Sequence, residues 1–173
     1  MTGAQMKNAQ RVAVVVVAVL ALVAGGVGWW QYVDLTSGPA GDNAALVDEK
    51  GTAEVQSQVA VALERVLTYD HADPTPTEES AKALLAGKAR SEYETLFAAL
   101  QEQAPGQKLV LTAKVSAAGV TELEGDRASL LVYVDQSSRR AGEDQANVSA
   151  AQLAVAAKKS GSGSWQVTGL RPL

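Results

Sequence analysis

The chain has 173 residues, 47% of them hydrophobic and 20% charged, with a formal net charge of −4. Two of its 15 basic residues, Lys7 and Arg11, precede a long apolar run; the remainder therefore sets 13 basic against all 19 acidic residues, a net charge of −6. Such a domain repels phosphate backbones, which argues against a nucleic-acid partner, and the absence of cysteine excludes disulfides, thiolate nucleophiles and cysteine-based metal sites.

The apolar run, Val12 to Trp30, is 19 residues without a charge. As a helix it extends about 28 Å, close to a hydrocarbon core of about 30 Å. Trp29 and Trp30 at its end, and then Tyr32, read as an interfacial aromatic belt. The run is longer than the apolar part of a cleaved signal, although Ala24-Gly25-Gly26 offers an alternative reading as a cleavage site. With Lys7 and Arg11 before it and Asp34, Asp42, Asp48 and Glu49 after it, the expected orientation is N-terminus cytoplasmic and the large domain extracytoplasmic. Ala21 with Gly25, and Ala24 with Gly28, are small-xxx-small pairs that would let a second helix approach. The expected organisation is a cytoplasmic N-terminus (1–11), a transmembrane helix (12–30), a linker (31–44) containing LTSGPAG, and an outer domain (45–173).

Within that domain, Val55, Val59, Ala62, Leu63 and Val66 recur at helical spacing, predicting a helix from about Ala45 to Tyr69. The prolines of DHADPTPT end it. Thr75-Pro76-Thr77-Glu78 reads as a capping box opening a short helix to about Ala86, with Gly87 as its C-cap or a kink. Tyr93, Leu96, Phe97 and Leu100 mark a third helix, ended by Ala104-Pro105-Gly106. The period then becomes two. Leu109 to Ala117 is a strand, Gly119 a bend and Glu124-Gly125-Asp126 a turn. Ala128 to Gln136 is apolar on both faces, as a central strand is. SSRRAGEDQ is a polar loop, Val148 to Lys158 a third strand, Ser160 to Ser164 a hairpin link, and WQVTGLRPL the last strand. Three helices followed by four strands with hairpin-length links predict an α+β domain, its helices packed on one face of a curved antiparallel sheet.

This order of elements, with Tyr69-Asp70 ending the first helix, Leu84-Leu85-Ala86-Gly87, Tyr93, Val120, ASLLVYVDQ and the terminal GSWQVTGLRPL, resembles the Mce-associated membrane proteins of actinobacteria. The resemblance implies a cone of the nuclear transport factor 2-like kind. It also implies an accessory role in complexes that move lipids or sterols across the cell envelope, with Mce subunits, other envelope proteins and the bilayer as partners. Scaffold subunits of type IV secretion systems share the layout of one membrane helix and an outer domain of this fold, and stand as the alternative.

No residue pattern demands catalysis, a cofactor or a metal, and the expectation is a non-enzymatic protein. His71, the single histidine, lies in Tyr69-Asp70-His71-Ala72-Asp73 and reads as a turn residue of a solvated loop rather than a ligand or base. Asp135 would face inward with Tyr133, or simply mark a strand end. Asn147-Val148-Ser149 matches a glycosylation sequon at the opening of a strand. Arg139-Arg140 reads as a solvated pair, with an anionic headgroup or acidic partner as the alternative, and Lys158-Lys159 as charge protecting a sheet edge. A hollow lined by Leu109, Leu111, Leu130, Val132, Leu153 and Trp165 would hold a lipid tail. With aromatics at 5%, the preferred reading is that these side chains fill one another's space.

Overall fold

The computed structural model describes residues 43–46, 48–140 and 145–173, with the side chains of 99–107 excepted. The apolar run at 12–30, the pairs Ala21/Gly25 and Ala24/Gly28, and nearly all of the linker lie outside the described residues. No helix among the described residues is long and apolar enough to cross a membrane.

The first helix, α1 (Glu49–Val66), starts later than its apolar spacing predicts because Asp48 caps it, its carboxylate accepting from the Gly51 amide at 2.9 Å. Its buried face is the one the spacing gives: Val55, Val59, Ala62, Leu63 and Val66. The chain then forms β1 (Tyr69–Asp70), a strand of two residues that no period-two pattern can reveal. In α2 (Thr75–Leu84) the expected capping box does not form, since Pro74 occupies the cap. Asp73 accepts from the Thr75 amide at 3.1 Å, and Thr77 turns inward to donate to the Thr68 carbonyl at 2.7 Å. Leu85 takes an extended conformation and bridges to Val167. Gly87, at φ +52°, then restarts the helix as α3 (Gly87–Gln107). This last helix runs on through Pro105 and Gly106 rather than stopping at Ala104.

Four long strands follow: β2 (Leu109–Glu124), β3 (Arg127–Arg140), β4 (Asn147–Lys159) and β5 (Trp165–Pro172). They form one antiparallel sheet in the order β1-β2-β3-β4-β5. The expected α+β cone is therefore present, with five strands in place of four. Two expectations fail for the same reason. Gly119 is not a bend but pairs with Leu131, and Ser137 to Arg140 are not loop but pair with Leu109 to Thr112. Both stretches are locally poor strand formers that tertiary pairing overrides.

β2 carries two irregularities, at Val115/Ala117 and at Val120/Glu122. Each extra residue bends the strand and curls the sheet over the helices. β2 has only two residues of β1 beside it, so the backbone of its outer edge needs other partners. Side chains from α1 and its flanks supply them. Thr68 accepts from the Ala113 amide (3.2 Å) and Glu64 from the Val115 amide (2.9 Å); Gln56 donates to the Ala118 carbonyl (2.7 Å). Asn43 donates to the Thr121 carbonyl (2.9 Å) and accepts from the Leu123 and Ala45 amides (both 3.0 Å).

The core lies between α1 and the inner face of the sheet. Leu130, Val132, Leu153 and Trp165 pack there with Val55, Val59, Leu63 and Val167. A smaller cluster of Tyr69, Phe97 and Leu109 sits under α3, with Tyr93 and Leu111 against it. Phe97 meets Tyr69 edge-on and stacks on Tyr93, with ring centroids 5.6 and 5.3 Å apart. Burial raises the Tyr93 pKa, and the nearby Glu78 and Tyr69 raise it further. Its hydroxyl is buried without a hydrogen-bond partner among the described residues. The neutral phenol therefore contributes stability that is full below the ordinary value of 10.0 and lost as the pH rises past it. Tyr93→Phe keeps the stack and removes the orphaned hydroxyl. The expected result is a melting temperature near neutral pH that is unchanged or raised, by up to about 1 kcal/mol of stability. The midpoint of alkaline unfolding should move upward.

Candidate docking face

The six residues expected to line an apolar hollow do not come together. Leu130, Val132, Leu153 and Trp165 are in the main core, whereas Leu109 and Leu111 belong to the cluster under α3. Trp165 is 3% exposed and faces inward with Val167, as their alternation predicts. The Lys159 ammonium lies 5.6 Å from the centre of its ring while pairing with Glu54 at 3.2 Å.

The polar candidates are dispersed. Asp135 does share a face with Tyr133, but it is the outer one, because Val132 and Val134 occupy the inner face of β3. His71 is less solvated than a loop residue would be: its side chain is 19% exposed and its Nδ1 lies 3.4 Å from the Asp70 carboxylate. Asp70 itself accepts from the Ala72 amide at 2.9 Å, closing the turn after β1. No group of three or more His, Cys, Asp or Glu among the described residues could hold a metal ion. Arg139 and Arg140 lie on β3, not in a loop. Lys158 and Lys159 lie on β4, which β3 and β5 flank at this point, so they protect no edge; they pair with Asp126 (3.5 Å) and Glu54. Asn147 opens β4, as expected, and is exposed.

What period-two reading missed is the outer face of the sheet. The register aligns Gly119, Leu131, Ala154 and Arg171 across four strands, and beside them Glu122, Ser129, Ala156 and Gly169. Ala154, Ala156 and Gly169 carry too little side chain to build height above the backbone. A hollow of about 350 Å³ opens over them. Leu131 gives it an apolar wall, and Glu122 and Arg171 add charges of opposite sign. Glu122 is positioned by Ser129, whose hydroxyl lies 3.3 Å from its carboxylate, and Thr121 donates to the Ser129 carbonyl at 3.0 Å. Asn43, the residue that clamps the second irregularity of β2, also lines the hollow. Next to it Tyr133 stands 44% exposed. A shallow hollow of mixed apolar and polar lining, with one charge of each sign beside it, is a place where a partner's side chain can seat.

Among known sequences, the uncharacterized protein Rv1362c of Mycobacterium tuberculosis is 30% identical over 163 residues, covering 92% of this chain and 70% of its own length. This chain belongs to its family. No family model matches the sequence. Among solved structures, the fold is similar to an IcmL-like type IV secretion system protein from Legionella pneumophila (TM-score 0.59, 13% identity, 70% of this chain and 91% of that one). It is also similar to the VirB8 protein of Agrobacterium tumefaciens (TM-score 0.54, 12% identity, 70% and 90%). A third match is CagV of Helicobacter pylori, a VirB8 homologue (TM-score 0.53, 10% identity, 69% and 96%). At these identities the likeness is one of fold.

Proposed function

We propose that this protein is a membrane-anchored, non-enzymatic accessory subunit of an envelope complex, held by residues 12–30 and binding partner proteins through the outer face of its sheet. The observation that carries this reading is the division of the fold. The inner face is filled by its own side chains, Val132, Leu63 and Val167 being fully buried, while the outer face presents a hollow. A filled interior favours docking over enclosure of a ligand, so a lipid carried inside the cone is the less favoured reading.

The resemblance in sequence order to Mce-associated proteins supports an Mce-type lipid or sterol importer as the complex. The likeness of fold to type IV secretion components supports the alternative, a scaffold in a secretion-like machine, because those proteins, too, are parts of assemblies. The domain would then lie outside the cytoplasmic membrane in either case.

The test is gentle detergent extraction of the tagged full chain from its native membrane, with mass spectrometry of what accompanies it. Mce subunits should co-purify with the unaltered chain and be lost from Ala154→Arg, which fills the hollow from its floor while leaving the inner face intact. Recovery of secretion-type components instead would move the assignment to the alternative. An Ala154→Arg chain that keeps its partners would remove the outer face from the docking role.

A further inference from the structure

The sheet protects its edges unevenly. The outer edge of β2 is bonded by Thr68, Glu64, Gln56 and Asn43. Part of β5 is covered in the same way: the Ala86 amide donates to the Val167 carbonyl (2.8 Å), Gln58 accepts from the Trp165 amide (2.8 Å), and Pro172 closes the strand. β4 is treated differently. β5 pairs with it only from Leu153 to Lys159, and the last bond runs from the Leu173 amide to the Gln152 carbonyl at 2.9 Å. From Asn147 to Ala151, β4 has β3 on one side and no strand among the described residues on the other.

The direction of the free backbone groups follows from that last bond. In an antiparallel ladder, alternate residues point their amide and carbonyl to opposite sides. Since Gln152 points toward β5, Ala150 and Val148 point the same way, to the side where none of the described strands lies. Residues 145–150 are all exposed, and Val148 is 76% exposed. The segment Gln145 to Gln152 (QANVSAAQ) contains no charge and no proline, the two devices that usually blunt an open edge.

We propose that this edge binds the same edge of a second copy of the chain, antiparallel about a two-fold axis, with Val148 facing Val148 and Ala146 facing Ala150. A two-fold contact sets each side chain against its own kind or its near neighbour. Charged residues there would meet their own sign; an uncharged run of small residues with one β-branched residue at the axis is self-complementary. The pairing satisfies the free amides and carbonyls of Ala146, Val148 and Ala150 in both copies, roughly six hydrogen bonds. It leaves the hollow on the outer face open, so it neither requires nor contradicts the docking role.

The absence of cysteine makes the test specific. In a hydrogen-bonded antiparallel pair the facing Cα atoms lie about 5.5 Å apart, inside the window for a disulfide of about 4.4–6.8 Å. Val148→Cys in the full chain, oxidised in its membrane with copper phenanthroline, should shift most of the chain to twice its mass on a non-reducing gel. Lys114→Cys, exposed on the same sheet face but on β2, should stay at monomer mass. Val148→Pro removes a donor that bonds nothing within the sheet; this variant should keep its circular dichroism and lose the dimer seen by light scattering in detergent. A Val148→Cys chain that remains monomeric, one cross-linked to a different protein, or a Val148→Pro chain that still dimerises would each overturn the proposal.

Discussion

Replacing Trp165 by alanine is expected to destabilise the domain by about 3–5 kcal/mol, the usual cost of removing a large aromatic side chain from a packed core. The indole is 3% exposed and belongs to the core cluster that holds Val55, Val59 and Leu63 between α1 and the inner face of the sheet. Trp165→Phe should behave very differently. The indole nitrogen is buried with no hydrogen-bond partner among the described residues. Phenylalanine therefore loses some contact area but also removes an orphaned donor that costs about 1–3 kcal/mol. The two effects oppose each other, and the net change should stay within about 1.5 kcal/mol. Urea unfolding followed by circular dichroism distinguishes the pair. Equal, large losses for both variants would mean that the indole nitrogen has a partner.

Asn43→Ala should cost about 1–3 kcal/mol, a large effect for a residue at a domain's entry. Its side chain makes three hydrogen bonds to backbone groups, two of them to β2 at Thr121 and Leu123. Those groups adjoin the second irregularity of the strand, where the ladder to β3 skips a residue. Without Asn43 the Leu123 amide loses its acceptor. Hydrogen exchange should therefore quicken first at Leu123 and Ala44, whose amide donates to the Leu123 carbonyl at 2.8 Å. Protection at Val132 and Val134 should change only as much as global stability does. A uniform change across all amides would mean that Asn43 acts merely as part of the general fold.

These two residues also mark what the sequence could and could not reveal. Trp165 lies in a strict alternation with Val167, and its inward direction follows from that pattern alone. The inner face of α1 is equally plain from Val55, Val59, Ala62, Leu63 and Val66. Asn43 falls in a stretch that reads as linker, because a single polar residue carries no period, and its partners are 78 and 80 residues away. β1 escaped notice for the same reason: two residues become a strand only because Leu111 and Val110 lie beside them. At Asp135, a strand apolar on both sides leaves the choice of face open, and Val132 and Val134 decide it. The hollow of the outer face was the least legible feature. It arises from what Ala154, Ala156 and Gly169 lack, on strands brought together by the register, and no single strand shows it.

The two irregularities of β2 also govern how this strand can change its length. Leu109, Leu111, Ala113 and Val115 face the core at odd positions; Ala118 and Val120, paired with the inward Val132 and Leu130, do so at even ones; and Leu123, opposite the inward Ala128, returns to odd. Each extra residue inverts the phase, and the second restores it. Loss of Ser116 alone would leave every later residue facing as it does, because Val115 opposite Val134 would be followed directly by Ala117 opposite Tyr133 and Ala118 opposite Val132 in plain alternation. Loss of a paired residue would instead turn one side of the strand inside out unless an extra residue moved into the ladder to absorb the shift. Loss of both Ser116 and Thr121 would keep every core residue facing inward but leave a straighter strand, and a flatter sheet would no longer wrap α1. Among descendants of this sequence, deletions inside β2 should therefore fall at Ser116 or Thr121, singly or together, with the curvature of the cone, rather than its hydrophobic pattern, setting the limit.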